Sequence, residues 1–192
     1  YREAGSRLAE RVVLLDNIPA ARNHDGGRLR FGPDGLLYIT TGDAADTGLA
    51  QDLGSTAGKI LRINRDGTTP RGNPFGSPIY SYGHRNPQGL DWHPVTGDLW
   101  ASEHGSIGND EVNAIDSGAN YGWPQIEGSQ TMAGMRTPLM SFSPAIAPSG
   151  ASFYRAVRFP LFANNLFIGT LRGTHLLRQV VDSSPERRIL SQ

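Results

Sequence analysis

Four segments carry side chains that could do chemistry. In Asn23-His24-Asp25-Gly26-Gly27-Arg28-Leu29, a histidine stands just before a Gly-Gly pair and an apolar run. Histidine titrates near neutrality and is the most frequent general base, so His24 reads either as a solvated loop residue or as a proton acceptor beside a ligand. Asp43, in Thr40-Thr41-Gly42-Asp43, follows the next apolar run. A hairpin folding its ends together would set this carboxylate against His24, where it could fix the ring tautomer; otherwise Asp43 is a turn residue. The run Gly83-His84-Arg85-Asn86-Pro87-Gln88-Gly89 gathers guanidinium, amide and imidazole groups, a donor set suited to a ligand rich in carbonyls or carboxylates. Beyond it, Glu103-His104-Gly105-Ser106-Ile107-Gly108-Asn109-Asp110-Glu111 is a glycine-rich acidic loop. Its oxygens could serve a hard cation such as Ca²⁺ or simply face water, and its spacing is not that of an EF-hand. Gly54-Ser55-Thr56-Ala57-Gly58-Lys59-Ile60 is not a phosphate loop, because Ile60 stands where a hydroxyl would be needed for magnesium.

These loops need strands to position them. Residues 27–40 read as strand, Pro33-Asp34-Gly35 turn, strand, and residues 89–100 repeat the pattern around Gly97. A looser third copy joins Phe153 to Leu166-Phe167-Ile168-Gly169. The aromatic residues Phe31, Trp92 and Phe153 are spaced by 61 residues each time. Strand-only self-similarity at a fixed period predicts an all-β fold, a β-propeller of four-stranded blades, with the function in the loops between strands. It also puts His24 and Arg85 at the same end of their blades.

The 192 residues predict one domain, 1–192. Glycine and proline, at 24 and 13 residues, make up close to a fifth of the chain, as expected for a turn-rich protein. Eighteen basic residues balance eighteen acidic ones, which leaves no field to attract a nucleic acid. The chain has no cysteine, so disulfides and thiolate metal sites are excluded. No apolar stretch is long enough to span a bilayer as a helix. The start at Tyr1, without a methionine or a charged-then-apolar leader, predicts that any targeting segment lies outside this sequence.

Taken in order, Asn23 to Leu29, Ala57-Gly58-Lys59-Ile60-Leu61-Arg62-Ile63-Asn64, Gly83 to Leu90, Asn120-Tyr121-Gly122-Trp123-Pro124 and Leu166 to Gly173 resemble the soluble PQQ-dependent glucose/sorbosone and aldose sugar dehydrogenases. The resemblance implies a six-bladed propeller. This chain would cover three to four blades and lack the first and last. It further implies pyrroloquinoline quinone (PQQ) and Ca²⁺ as cofactors, a small-molecule sugar oxidised at its anomeric carbon, an external electron acceptor, and a periplasmic or secreted location.

By the same resemblance, His24 matches the catalytic base and Asp43 its carboxylate partner. Arg85 and Asn86 match residues at the quinone carbonyl edge, with Gln88 beside them, and Arg172 matches a basic partner of a cofactor carboxylate. Gly105 and Ser106 fall where backbone carbonyls reach the cofactor's calcium; the family commonly has Pro at the second position. A structural calcium is expected at Glu111 and the Tyr121 carbonyl, with Asp110 as a further candidate. Non-catalytic propeller relatives offer the competing expectation of a binding module. About three repeats cannot close a ring, so the sequence predicts an incomplete site in a monomer, or a half-ring closed as a homodimer.

Overall fold

The three aromatic residues spaced by 61 each end the first strand of a four-stranded antiparallel sheet. The computed structural model describes residues 1–184 and 186–192 and, among these, every side chain but that of Arg2. A short hairpin, β1 (Arg2–Ala4) and β2 (Arg7–Ala9), comes first. The first blade is β3 (Leu29–Phe31), β4 (Leu37–Thr41), β5 (Lys59–Ile63) and β6 (Ile79–Tyr82). The second is β7 (Pro87–Trp92), β8 (Leu99–Glu103), β9 (Asp110–Ile115) and β10 (Met140–Phe142). The third is β11 (Pro148–Phe153), β12 (Leu166–Thr170), β13 (Leu176–Val181) and β14 (Ile189–Ser191).

In every blade the strands lie side by side in chain order, the meander that four-stranded propeller blades use. The fold is thus an all-β propeller architecture, of which the described residues form three blades. Helical structure among them is confined to two 3₁₀ turns, Thr47–Ala50 and Pro160–Phe162. The first two inner hairpins turn tightly at Gly35 and Gly97. The third is looser because residues 154–165 intervene, with the second 3₁₀ turn inside them.

Side chains alternating across each pleat feed two interfaces at once. On β4, Tyr38 faces a cluster with Leu90, Trp92, Leu99 and Ile115 of the second blade, whereas Ile39 packs with Leu61, Ile63 and Ile79 on the opposite face. The second blade is covered on both sides. Its other face, through Trp100 and Val112, meets Ala151, Phe153, Leu166 and Ile168 of the third. This is why β8 is buried at every residue and shows no polar–apolar alternation. Two of the repeated aromatics are joints between blades: Trp92 meets Tyr38 edge-on at 4.9 Å, and Phe153 meets Trp100 at 5.9 Å, whereas Phe31 is exposed beside Arg65.

All the loops singled out above project from one end. The chain enters β3, β7 and β11 there, and the β4–β5, β8–β9 and β12–β13 connections turn there. The β4–β5 connection is tied by a fully buried lysine. Lys59 Nζ donates to the carbonyls of Leu49, Ala50 and Ala57 at 2.8, 3.0 and 2.6 Å, and burial pushes its ammonium down to about 8. Residues 116–139, between β9 and β10, leave the second blade and run along β6 of the first, with a parallel bridge between Tyr82 and Asn120. That excursion carries Trp123 to the loop end.

Candidate active site

His24 reaches its position by close backbone approach. Its own φ is 62°, and Gly26 and Gly27 follow in the same left-handed half of the map. A Cβ on Gly42 would lie 1.7 Å from the His24 carbonyl oxygen, and one on Gly26 would lie 2.7 Å from that of Thr40. Only glycine at these positions lets the loop press against the end of β4. His24 Nδ1 then lies 2.9 Å from Asp43 Oδ1.

Asp43 is fully buried, and each of its oxygens is engaged. Oδ1 also accepts the Ala45 N–H at 2.9 Å, and Oδ2 accepts the Trp123 indole N–H at 2.8 Å. A carboxylate has only acceptor capacity, so the shared proton sits on His24 Nδ1 and the Nε2 lone pair is left to face outward. The His24 side chain keeps 18% exposure. That is enough for a ligand hydroxyl to reach it.

The second blade's entry loop is bonded directly to this pair. The Asp43 N–H donates to the Arg85 carbonyl at 2.8 Å, and the Gly26 N–H to Asn86 Oδ1 at 3.1 Å. Gln88 Nε2 donates to the same Asn86 oxygen at 3.1 Å. Gln88 thus props Asn86, whose amide N–H₂ points elsewhere. Arg85 donates to the His104 carbonyl at 3.3 Å and lies 5.3 Å over the Trp123 ring, while its buried Nε has no protein partner among the described residues. Desolvation pulls the guanidinium down from its ordinary value, and the carboxylates of Asp43 and Glu103 oppose that shift. It remains a cation at neutral pH.

Beside Arg85 is a crevice lined by Glu103, His104, Gly105, Glu111 and Trp123. Burial lowers the basicity of His104, whose Nε2 meets the Pro148 carbonyl at 2.9 Å, so its ring is neutral at neutral pH. The loop above it is a tight turn in which a Cβ on Gly105 would strike the Gly108 carbonyl. The Gly105 N–H bonds Asp110 Oδ1 at 2.9 Å, and the Ser106 hydroxyl bonds Glu127. The carbonyls of Gly105 and Ser106 accept no hydrogen bond from the described residues, so both could serve a hard cation.

The other candidate metal ligands are placed unequally. Asp110 accepts the Gly105 N–H on one oxygen and the Ile146 and Ala147 N–H groups, both at 2.7 Å, on the other. It clamps two loop segments to the start of β9. Glu111 is buried opposite Glu103 in the β8–β9 register, and burial together with the Glu103 charge pushes it up to about 8. Glu103 Oε2 lies 3.4 Å from His84 Nδ1, and Asn113 Oδ1 nearby is buried with no hydrogen-bond partner among the described residues. Glu111 accepts the Asn113 amide and the Gly128 N–H at 3.1 and 2.9 Å, and a divalent cation could take the place of the proton it holds against Glu103, with the Tyr121 carbonyl, which accepts no hydrogen bond from the described residues, as a further oxygen. Among the described residues, no three His, Cys, Asp or Glu side chains gather to hold a metal, and any calcium here would rest largely on carbonyls.

Arg172 is exposed on the β12–β13 turn. Its N–H bonds the Ile146 carbonyl at 3.1 Å, which ties that turn to the segment Asp110 clamps. Neither Trp123 nor His104 had been assigned a role from the sequence, and Glu103 only as an acid of the loop whose oxygens could serve a hard cation. Trp123 is 80 residues from Asp43, and only the Asn-Tyr-Gly-Trp-Pro run marked its segment.

Known proteins give this arrangement a context. The family model described as glucose / sorbosone dehydrogenase matches residues 1–191. Aldose sugar dehydrogenase YliI of Escherichia coli is 38% identical over 189 residues, covering 87% of this chain and 51% of its own. The PQQ-bound aldose sugar dehydrogenase of Streptomyces coelicolor superposes with a TM-score of 0.82 at 43% identity, covering 92% of this chain and 50% of that one. A Thermus thermophilus protein of known structure, described as a glucose dehydrogenase-like oxidoreductase, superposes with a TM-score of 0.89 at 44% identity, over 99% of this chain and 58% of that one. The chain spans about half the length of the curated relatives it matches. No described helix is long and apolar enough to cross a membrane. With the family model matched along nearly its whole length, this chain belongs to the glucose/sorbosone dehydrogenase family.

Proposed function

We propose that the protein oxidises an aldose at its anomeric carbon to the lactone, with PQQ as electron acceptor and His24 as general base. The observation that carries this reading is the buried His24–Asp43 pair bonded to the loop that presents Arg85 and Asn86.

Oxidation of a hemiacetal removes a hydride from carbon and a proton from the hydroxyl. His24 Nε2 takes the proton, and Asp43 stabilises the imidazolium that results. Arg85, desolvated and fixed against Trp123, places positive charge where negative charge develops on an oxygen. The free N–H₂ of Asn86 and the unpaired Arg85 Nε are donors suited to a carbonyl edge, and Arg172 at the same end suits a carboxylate. When bound, PQQ would supply the two-electron acceptor for the hydride, with an external electron acceptor as the final oxidant. The carbonyls of Gly105 and Ser106 would hold Ca²⁺, which would supply Lewis-acid chemistry. Glu111 and Tyr121 would hold a structural Ca²⁺. A periplasmic or secreted location suits this chemistry.

A dye-reduction assay with an aldose, added PQQ and Ca²⁺ tests the proposal. Activity should require PQQ. Dye reduction that persists undiminished after PQQ is omitted would overturn the reading.

A further inference from the structure

Trp123 is the residue through which the base pair and the cation of the site are built on one support. It arrives by a route that fixes it firmly. The Tyr121 and Trp123 N–H groups donate to the Tyr82 and Gly83 carbonyls, each at 2.9 Å. Gln51 and Asn120 exchange amide hydrogen bonds at 3.0 and 2.8 Å, and Gln51 Nε2 also holds the Trp123 carbonyl at 2.7 Å. The indole is thereby held by both the first blade's loop and the excursion from the second. Its N–H donates to the Asp43 oxygen that neither His24 nor Ala45 uses, and its ring face lies under Arg85 at 5.3 Å.

We propose that Trp123 is a positioning residue for the oxidation, locking the Asp43 carboxylate toward His24 through its N–H and seating the Arg85 guanidinium on its ring. A carboxylate has a broad two-fold torsion, so one anchored oxygen does not define its plane; the indole N–H supplies the second anchor. Among the described residues the Arg85 side chain has one long hydrogen bond, to the His104 carbonyl, and its Nε has no partner, so the electron-rich ring is the main surface that orients it. This inference rests on the proposed function, with His24 as base.

Two substitutions separate the two contacts. Trp123→Phe keeps a ring under Arg85 and removes the N–H, whereas Trp123→Leu removes both. Trp123→Phe is expected to lower kcat tenfold or more while PQQ affinity stays within twofold. Trp123→Leu should lower kcat similarly and weaken PQQ binding fivefold or more.

A measurement on the cofactor-free protein stands apart from PQQ chemistry. The Trp123 indole N–H, one of only three in the chain, should exchange slowly with solvent by NMR. Exchange of the His24 ring N–H should accelerate at least tenfold in Trp123→Phe. Rapid exchange of the indole N–H in the unmutated protein overturns the inference whether or not the variants fold, and so does a Trp123→Phe kcat within twofold of the parent. Absence of PQQ-dependent activity in the parent would instead count against the proposed function, and the exchange rates would then decide the role of Trp123 alone.

Discussion

Asp43→Asn changes one atom of the buried carboxylate, and its consequences can be worked out from three contacts. His24 Nδ1, Ala45 N and Trp123 Nε1 all converge on Asp43 as donors, at 2.8 to 2.9 Å. Asparagine offers one accepting oxygen and one N–H₂. If the oxygen stays with His24 and Ala45, the N–H₂ faces the indole N–H, and two donors lose their acceptor. At about 1–2 kcal/mol for each unmet donor in a largely buried site, the fold should lose about 2–4 kcal/mol. With a urea dependence of roughly 2 kcal/mol per molar, the unfolding midpoint should fall by about 1–2 M. If the amide flips, its N–H₂ faces His24 Nδ1 and drives the proton to Nε2, which removes the base. The flipped arrangement should slow PQQ-dependent turnover by about 10²–10⁴-fold, the usual worth of a positioned general base, and the unflipped one by less, because His24 keeps its base but loses the charge that stabilises the imidazolium. Urea titration followed by tryptophan fluorescence, with dye reduction on the same preparation, measures both effects. An Asp43→Asn protein with an unchanged midpoint and unchanged turnover would refute the assignment of Asp43 as the buried anchor of His24.

Two other perturbations test the surroundings of the site. Gly42→Ala would put a Cβ 1.7 Å from the His24 carbonyl, so the loop must move by more than an ångström; turnover should fall by roughly 10²-fold, checked by dye reduction alongside thermal melting. Glu111, pushed up to about 8, holds a proton in the folded chain that the unfolded chain releases near 4.5. The stability from this group is complete below about pH 4.5 and is lost as pH rises to about 8. Thermal melts in chelator should therefore show a decline in stability between those values that Glu111→Gln reduces, and a slope unaltered by the substitution would contradict the buried pair with Glu103.

The strand repeat was legible because each blade's first strand ends in an aromatic and then turns, which left Phe31, Trp92 and Phe153 at equal spacing; in the second and third blades that side chain packs at a blade joint. Hairpin geometry made the facing of His24 and Asp43 possible, since β3 and β4 return their ends to one place, but left Asp43 equally readable as a turn residue; the close approach at Gly26 and Gly42 is what joins the two. The strands β8 and β9 carry polar residues, among them Ser102, Glu103, Asp110, Glu111 and Asn113, at buried positions. Their sequence therefore does not announce a core. Trp123 was invisible as a site residue for another reason. Its contact with Asp43 is made by a 24-residue excursion that crosses to the preceding blade, and no local spacing encodes where such a segment lands. The carboxyl group of Asp110 looked like a metal ligand by type and position, yet three backbone N–H groups occupy it.

The central claim is that His24 removes the proton as the sugar is oxidised. Its most direct test is anaerobic single-turnover reduction of PQQ by an aldose, followed by absorbance, in the parent protein and in His24→Ala at equal PQQ occupancy. The account predicts a rate about 10²–10⁴-fold slower in His24→Ala with occupancy unchanged. Equal rates in the two proteins would contradict it.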